Sequence, residues 1–236
     1  MLVSKVLSLL LVGVLEGARA QEALGFRPGG STLGVTFGSN VVSPPGELIP
    51  RGDTANPPNI TTPVWTSAGN AVLLMVDSDV PRNGTRVQLL HWLVSNVTLG
   101  SNGTLAFPGP GEAPYRQPSP PVGDSPHQYT FVLFTQPANF SVPAAFSAVL
   151  ESRVFFNTTA FASAADLGTP FAANSIRVQN LTGTPTTTFP PPRPTNVTAP
   201  NPPSEFPGAA TSLVRERAFW VGLSTALLAG LGAFAL

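Results

Sequence analysis

Three apolar stretches decide the fold: AVLLMVD at residues 71–77, VQLLHWLVSNV at 87–97 and HQYTFVLFTQ at 127–136. Each has the length of a strand and is rich in β-branched or aromatic residues, which favour strands over helices. Clusters of Pro and Gly separate these stretches, as turns require. Residues 157–167 (NTTAFASAADL) are the best candidate for a short helix. The sequence therefore predicts an all-β domain, a β-sandwich of antiparallel sheets with short peripheral helices.

The N-terminus has the three parts of an export signal. Lys5 gives a positive start, residues 6–14 form a short apolar run, and small residues flank Arg19 at the end of the segment. This arrangement is read by signal peptidase, and the apolar run is too short to span a bilayer. We therefore predict a signal peptide over residues 1–20.

The C-terminus carries the pattern of a glycosylphosphatidylinositol (GPI) attachment signal over residues 208–236. Small residues (GAA) precede a polar spacer and an apolar tail without charge, which is the order that such a signal requires. Gly208 is the predicted attachment residue, with Ala209 and Ala210 as alternatives. A true membrane-spanning helix is the competing interpretation, but both nearby arginines precede the tail, whereas basic residues usually follow on the cytoplasmic side.

The composition excludes several functions and provides many glycosylation sequons. The chain contains no Cys, so thiol nucleophiles and cysteine metal sites are excluded, and its formal net charge is zero, which disfavours nucleic-acid binding. Export exposes Asn-x-Ser/Thr sequons to glycosylation. The predicted glycosylation sites are Asn59, Asn83, Asn96, Asn102, Asn139, Asn157, Asn180 and Asn196.

The segment from residue 183 to 207 changes character. It consists of Pro, Thr and Asn with few apolar residues, so it buries too little surface to fold and favours an extended chain. We predict a disordered, O-glycosylated stalk here, with the folded domain over residues 21–182 and the hydrophobic tail beyond the stalk.

Polar residues cluster at the ends of the predicted strands. Asp77 and Asp79 end the first strand before Pro81, His91 lies beside Trp92 in the second, and His127 and Tyr129 begin the third. Residues two apart in a strand leave the same face, so His127 and Tyr129 point to one side.

The order VLLMVDSDVP, HWLV and PSPPVGDSPHQYTFVLFTQ resembles the phosphatidylethanolamine-binding protein family over about residues 30–180. The resemblance implies a small anion pocket that no cofactor or metal occupies. Its lining and walls would be Asp77, His91, His127, Tyr129, Asp79, Pro81, Trp92 and the loop from Pro118 to Pro121. Three positions depart from the family pattern: Ser78 replaces a Pro in the turn, Gln117 replaces a Gly, and Gln128 replaces an Arg.

These features favour a non-enzymatic ligand-binding protein on the outer face of the plasma membrane, or in a cell wall, reached through the secretory pathway. The expected ligand is a phospholipid headgroup or a similar small phosphorylated anion, and the expected membrane contact is a GPI anchor. The resemblance also leaves open an inhibitor of a serine carboxypeptidase, and the stalk and sequons leave open a structural surface glycoprotein. An enzyme would need Asp77, His91 and His127 to share a metal ion.

Overall fold

The computed structural model describes residues 22–26, 30–65 and 69–193. The signal peptide, Asn196 and the predicted attachment residue Gly208 lie outside these residues. No helix in the described part is both long enough and apolar enough to cross a membrane.

The described residues form ten strands, two short α-helices and three 3₁₀ turns. The strands are β1 (Ser31–Thr32), β2 (Gly34–Phe37), β3 (Asn40–Val41), β4 (Glu47–Leu48), β5 (Asn59–Thr61), β6 (Ala71–Arg82), β7 (Thr85–Leu99), β8 (Leu105–Ala106), β9 (His127–Thr135) and β10 (Ala172–Val178). The helices are α1 (Ser147–Ser152) and α2 (Thr158–Ala164), and the 3₁₀ turns are Arg51–Thr54, Ser101–Gly103 and Ala144–Phe146.

Two sheets carry the fold. The larger has the order β1-β10-β9-β6-β7-β8, with β4 also paired to β10, and the smaller has the order β3-β2-β5. Neighbouring long strands run antiparallel, as predicted, and the all-β class is confirmed. The pairs β1–β10 and β4–β10 are parallel. Sequence patterning did not reveal these two pairs, because each joins a two-residue strand to one more than a hundred residues away.

Strand β6 is apolar along its length because both faces of the large sheet are covered. Leu73 and Met75 lie in a buried cluster with side chains of the small sheet, whereas Leu74 and Val76 lie in a second cluster with α2. Strands buried on both faces lose the alternation of polar and apolar residues. Each fully buried large side chain contributes about 1.5–3 kcal/mol.

The chain stays on the domain beyond the predicted start of the stalk at residue 183. Residues up to Arg193 belong to the same compact unit as the strands. Arg86 donates hydrogen bonds to the carbonyl oxygens of Pro190 and Pro191, and Arg193 donates to the carbonyl oxygen of Ser78. Residues 188–193 belong to no helix or strand, so these guanidinium groups hold the segment in place. The remainder of the predicted stalk lies outside the described residues.

Candidate functional site

A β-bulge positions His91. Met75 pairs with Trp92 and Val76 with Leu90, so His91 is an extra residue in β7. Adjacent strand residues normally face opposite sides of a sheet, but a bulge turns two successive side chains to the same side. The His91 ring therefore packs edge-on against the Tyr129 ring, with centroids 4.9 Å apart, on the face that also buries Trp92.

The His91 ring is buried, and one of its two nitrogens takes part in a hydrogen bond. Its Nδ1 lies 2.8 Å from the carbonyl oxygen of Arg116, which can only accept, so Nδ1 carries the proton. Burial lowers the pKa of His91, while the carboxylate of Asp77 opposes that shift. The ring is therefore neutral near pH 7, and its Nε2 presents a lone pair. That Nε2 is buried without a hydrogen-bond partner.

Tyr129 supplies a second unpartnered polar atom. The side chain is fully buried between the two histidines, and its ring stacks on that of His127 at a centroid distance of 6.5 Å. The carboxylate of Asp77 and the backbone N–H of Ser119 lie near its hydroxyl, but no group among the described residues bonds the hydroxyl with good hydrogen-bond geometry. Burial raises the pKa of Tyr129, and the negative charge of Asp77 raises it further. The phenol therefore stays protonated and remains able to donate.

His127 has both ring nitrogens committed to carboxylates. Nδ1 lies 2.8 Å from Oδ2 of Asp77, and Nε2 lies 3.0 Å from Oδ2 of Asp124. Burial disfavours the charged ring, but hydrogen bonds and charge from the two carboxylates outweigh burial and raise the pKa of His127. The ring is an imidazolium held between two anions, with no lone pair free for a metal.

Asp124 links His127 to Arg86, and neither Asp124 nor Arg86 was predicted from the sequence. The two Asp124 oxygens accept a bidentate pair of hydrogen bonds from Arg86, each 2.7 Å long. Burial opposes ionisation of Asp124, but the bonds from Arg86 and His127 give a lowered pKa. The bond to Asp124 also raises the pKa of Arg86, against the effect of burial. The outcome is a buried chain of alternating charge: Asp77, His127, Asp124 and Arg86.

The turn after β6 fixes the two carboxylates that the sequence singled out. Asp77 Oδ1 accepts from the backbone N–H of Asp79 at 2.7 Å, and Asp79 Oδ2 accepts from the backbone N–H of Gln128 at 2.9 Å. Asp79 is half-buried, and so are Pro81 and Pro121. The carbonyl of Pro121 accepts from the N–H of Asp124 at 3.2 Å, which places that carboxylate beside His127.

Trp92 serves a different cavity. Its ring packs against Phe107 and Tyr115, with centroids 4.8 and 5.6 Å away, and its Nε1 donates to the carbonyl oxygen of Pro110. These side chains line an open, mainly apolar cavity of about 480 Å³. Trp92 therefore supports the sheet beside His91, and its ring faces this cavity.

The structure thus gathers Asp77, His91, His127 and Tyr129 at one end of the large sheet. They divide into two parts with different chemistry. Asp77 and His127 belong to a satisfied ionic chain, whereas His91 Nε2 and the Tyr129 hydroxyl are buried atoms without partners. Among the described residues no group of three His, Asp or Glu side chains could hold a metal ion.

Comparison with known proteins identifies the family. A family model described as phosphatidylethanolamine-binding protein matches residues 38–186. The chain belongs to the phosphatidylethanolamine-binding protein family. The phomoidride biosynthesis cluster protein N of Talaromyces stipitatus is 32% identical over 187 residues, which is 70% of this chain and 94% of that protein. The 26 kDa secreted antigen of Toxocara canis is 35% identical over 153 residues, which is 62% of this chain and 56% of that protein.

Solved structures share the fold. A carboxypeptidase Y inhibitor in complex with its proteinase has a TM-score of 0.54 at 16% identity, and covers 72% of this chain and 96% of its own. A phosphatidylethanolamine-binding protein from Plasmodium vivax has a TM-score of 0.51 at 17% identity, and covers 71% and 97% respectively. At these identities the likeness extends to the fold alone. The resemblance predicted from the sequence is therefore confirmed at the level of family and fold.

Proposed function

We propose that the protein binds the phosphoryl group of a phospholipid headgroup, or of a similar small phosphorylated molecule, at His91 and Tyr129. One observation carries this proposal: the Nε2 of His91 and the hydroxyl of Tyr129 lie on rings in contact, and both are buried without a partner. Buried polar atoms nearly always have hydrogen bonds, so an orphaned pair marks a place where another molecule can complete them. Membership of a family named for binding such a lipid supports the same ligand class.

The chemistry of the two atoms suits a phosphoryl group. The Tyr129 hydroxyl can donate to a phosphoryl oxygen, and a protonated His91 would donate more strongly than a neutral one because its bond would be charge-assisted. The nearby carboxylate of Asp77 repels negative charge, which favours a monoanionic phosphodiester over a dianion. His127 stays charged and committed to its two carboxylates, so it offsets the charge of Asp77 and contributes no free donor.

Calorimetric titration of the full-length protein with glycerophosphoethanolamine tests the proposal. Tyr129→Phe removes only the hydroxyl, and we expect it to weaken binding about tenfold, the effect of one lost hydrogen bond. The chain has one other tyrosine, Tyr115, whose hydroxyl donates to the carbonyl of Thr54 at 2.7 Å. Tyr115→Phe is the matched control and should bind as the unmodified protein does. Equal affinity in Tyr129→Phe and Tyr115→Phe would contradict the proposed contact.

The pH dependence of the same titration identifies the role of His91. Burial lowers the pKa of His91, and a phosphodiester favours the protonated ring, so affinity should rise as pH falls through that lowered pKa. Glycerophosphoethanolamine keeps one negative charge over the range, so the dependence reports on the protein. The rise should disappear in His91→Gln. The same pH dependence in the unmodified protein and in His91→Gln, over the range in which both stay folded, would reject a contact between His91 and the phosphate.

We also propose that the protein acts on the outside of the cell, held by a GPI anchor. The support is the pair of terminal signals together with the position of the sequons, because six of the seven described sequon asparagines are exposed and Asn180 is half-buried. Treatment of intact cells with phosphatidylinositol-specific phospholipase C should release the protein, and peptide N-glycosidase should lower its apparent mass. Retention after the lipase would favour a spanning helix.

Inhibition of a serine carboxypeptidase stays a weaker alternative. Its support is likeness of fold to the carboxypeptidase Y inhibitor, and no inhibitory segment is marked in this sequence. Asn83 lies exposed at the turn between β6 and β7, two residues after Pro81, so a glycan there would crowd a protein partner. A chain that binds no headgroup and inhibits no carboxypeptidase would fit a structural role at the surface.

A further inference from the structure

Two arginines meet beside His91. The backbone N–H of Arg116 donates to the carbonyl oxygen of His91 at 2.9 Å, and Nη1 of Arg153 approaches the same oxygen at 3.4 Å. Nη1 of Arg153 also donates to the carbonyl oxygen of Pro114 at 2.7 Å. One guanidinium and the backbone of the other arginine therefore converge on a single carbonyl group, on the residue whose Nε2 has no partner.

Neither guanidinium has an acidic partner in the described part of the chain. The ion pairs found there join Arg86 to Asp124 and His127 to its two carboxylates. The Arg116 side chain is exposed and takes part in no hydrogen bond within the described residues, and Arg153 uses Nη1 alone. Both guanidinium groups therefore have N–H donors without a partner among the described residues, and an acceptor on a ligand can bind them.

The positive charges of Arg116 and Arg153 act on each other and on His91. Burial lowers the pKa of Arg153, and the charge of Arg116 lowers it further. Both arginines also depress the pKa of His91, beyond the larger effects of burial and Asp77. Two like charges held together without a counter-ion are unfavourable, and an anion placed between them removes the cost.

We propose that Arg116 and Arg153 form a subsite for a second acidic group on a ligand whose phosphoryl group contacts His91 and Tyr129. This inference rests on the proposed function. Depth separates the two positions, because the side chains of His91 and Tyr129 are buried whereas Arg116 is exposed. One phosphate cannot contact both a buried pair of side chains and an exposed guanidinium, so the ligand carries a further carboxylate or phosphate. Arginine forks suit either group through paired hydrogen bonds.

Two matched pairs of compounds test the subsite by calorimetry on the full-length protein. Glycerophosphoserine differs from glycerophosphoethanolamine by one carboxylate, and O-phosphoserine differs from O-phosphoethanolamine in the same way. We expect the serine compound to bind about tenfold tighter than its partner in at least one pair, the effect of a charge-assisted hydrogen bond. An advantage confined to the diesters would indicate a lipid headgroup, and one confined to the monoesters a free phosphorylated metabolite.

Arg116→Gln provides the decisive variant, because its side chain makes no hydrogen bond within the described residues. The preference for the serine compound over the ethanolamine compound should fall to less than about twofold. The ratio of the two affinities is the readout, because the charge of Arg116 also acts on His91 and its loss shifts both affinities together. Arg82→Gln is the control: Arg82 is also exposed, and within the described part of the chain its side chain bonds only the carbonyl of its neighbour Pro81. That variant should keep the full preference.

The possible failures are distinct. Equal binding of both members of each pair would overturn the subsite and leave the proposed function intact. A serine preference that survives Arg116→Gln would also overturn it. No detectable binding of any of the four compounds would overturn the proposed function, and the subsite with it.

Discussion

Replacement of Asp124 by Asn should destabilise the domain strongly. Asp124 accepts two hydrogen bonds from Arg86 and one from His127, and the side chains of Asp124 and Arg86 are only 1% and 5% exposed. The substitution keeps the shape of the side chain but removes its negative charge. The buried cations Arg86 and His127 both lose that charge as a partner. Removal of one partner from a buried ion pair costs about 3–5 kcal/mol. Asn retains one acceptor oxygen, so we expect about 3 kcal/mol.

Urea unfolding followed by fluorescence measures this loss. With a urea dependence of about 2 kcal/mol/M, the midpoint should fall by about 1.5 M. Asp53→Asn is the control, because Asp53 is exposed and its side chain forms no hydrogen bond within the described residues. A surface change of this kind should stay within about 0.5 kcal/mol. A midpoint for Asp124→Asn within about 0.3 M of the unmodified protein would refute the stabilising role of the buried chain.

Three further outcomes follow from the structure. His127 has a raised pKa, so its stabilising charge is complete below about pH 6.5 and is lost as pH rises through the folded-state pKa. The gap in urea midpoint between the unmodified protein and His127→Gln should therefore narrow from pH 6 to pH 9, and a constant gap would contradict this. A chain ending after residue 183 should unfold at a lower temperature than one ending after Arg193, because Arg86 loses its proline carbonyl partners; equal midpoints would mean that the segment adds nothing. Gly111→Ala should destabilise by about 2 kcal/mol or more, since Gly111 has φ +90° and an added Cβ would clash with the carbonyl oxygen of Leu93 in β7. Gly109→Ala, where nothing lies within 4 Å, should be nearly neutral by the same thermal assay.

Much of the sheet was predictable because its central strands are long and apolar. The predicted strands at 71–77, 87–97 and 127–136 fall within β6, β7 and, apart from its last residue, β9. The helix predicted at 157–167 contains α2. Short edge strands were not predictable, because a strand of two residues has no period to read and depends on its partner.

The site was predictable only in part. Asp77, His91, His127 and Tyr129 were named from motifs, and the fold gathers them. The bulge that turns His91 toward Tyr129 leaves no mark in the sequence, since it arises from a register shift between two strands. Asp124 and Arg86 were missed because their pairing joins a loop to a strand 38 residues away. An Asp three residues before His127 was the one local signal available.

The segment after residue 183 shows what amino-acid composition alone does not predict. Pro-rich sequence predicts an extended chain, and that expectation takes no account of partners. Arg86 and Arg193 supply such partners, so the segment up to Arg193 lies against the domain. Composition indicates whether a segment can fold alone, and only the structure shows what it contacts.

Ring titration of the two histidines by NMR tests the phosphate site most directly. The chain has only His91 and His127, and His91→Gln assigns their signals. With saturating glycerophosphoethanolamine, the pKa of His91 should rise from its lowered value, because a bound phosphate favours the protonated ring. The raised pKa of His127 should change little. An unchanged pKa for His91 at ligand saturation would contradict the proposed site.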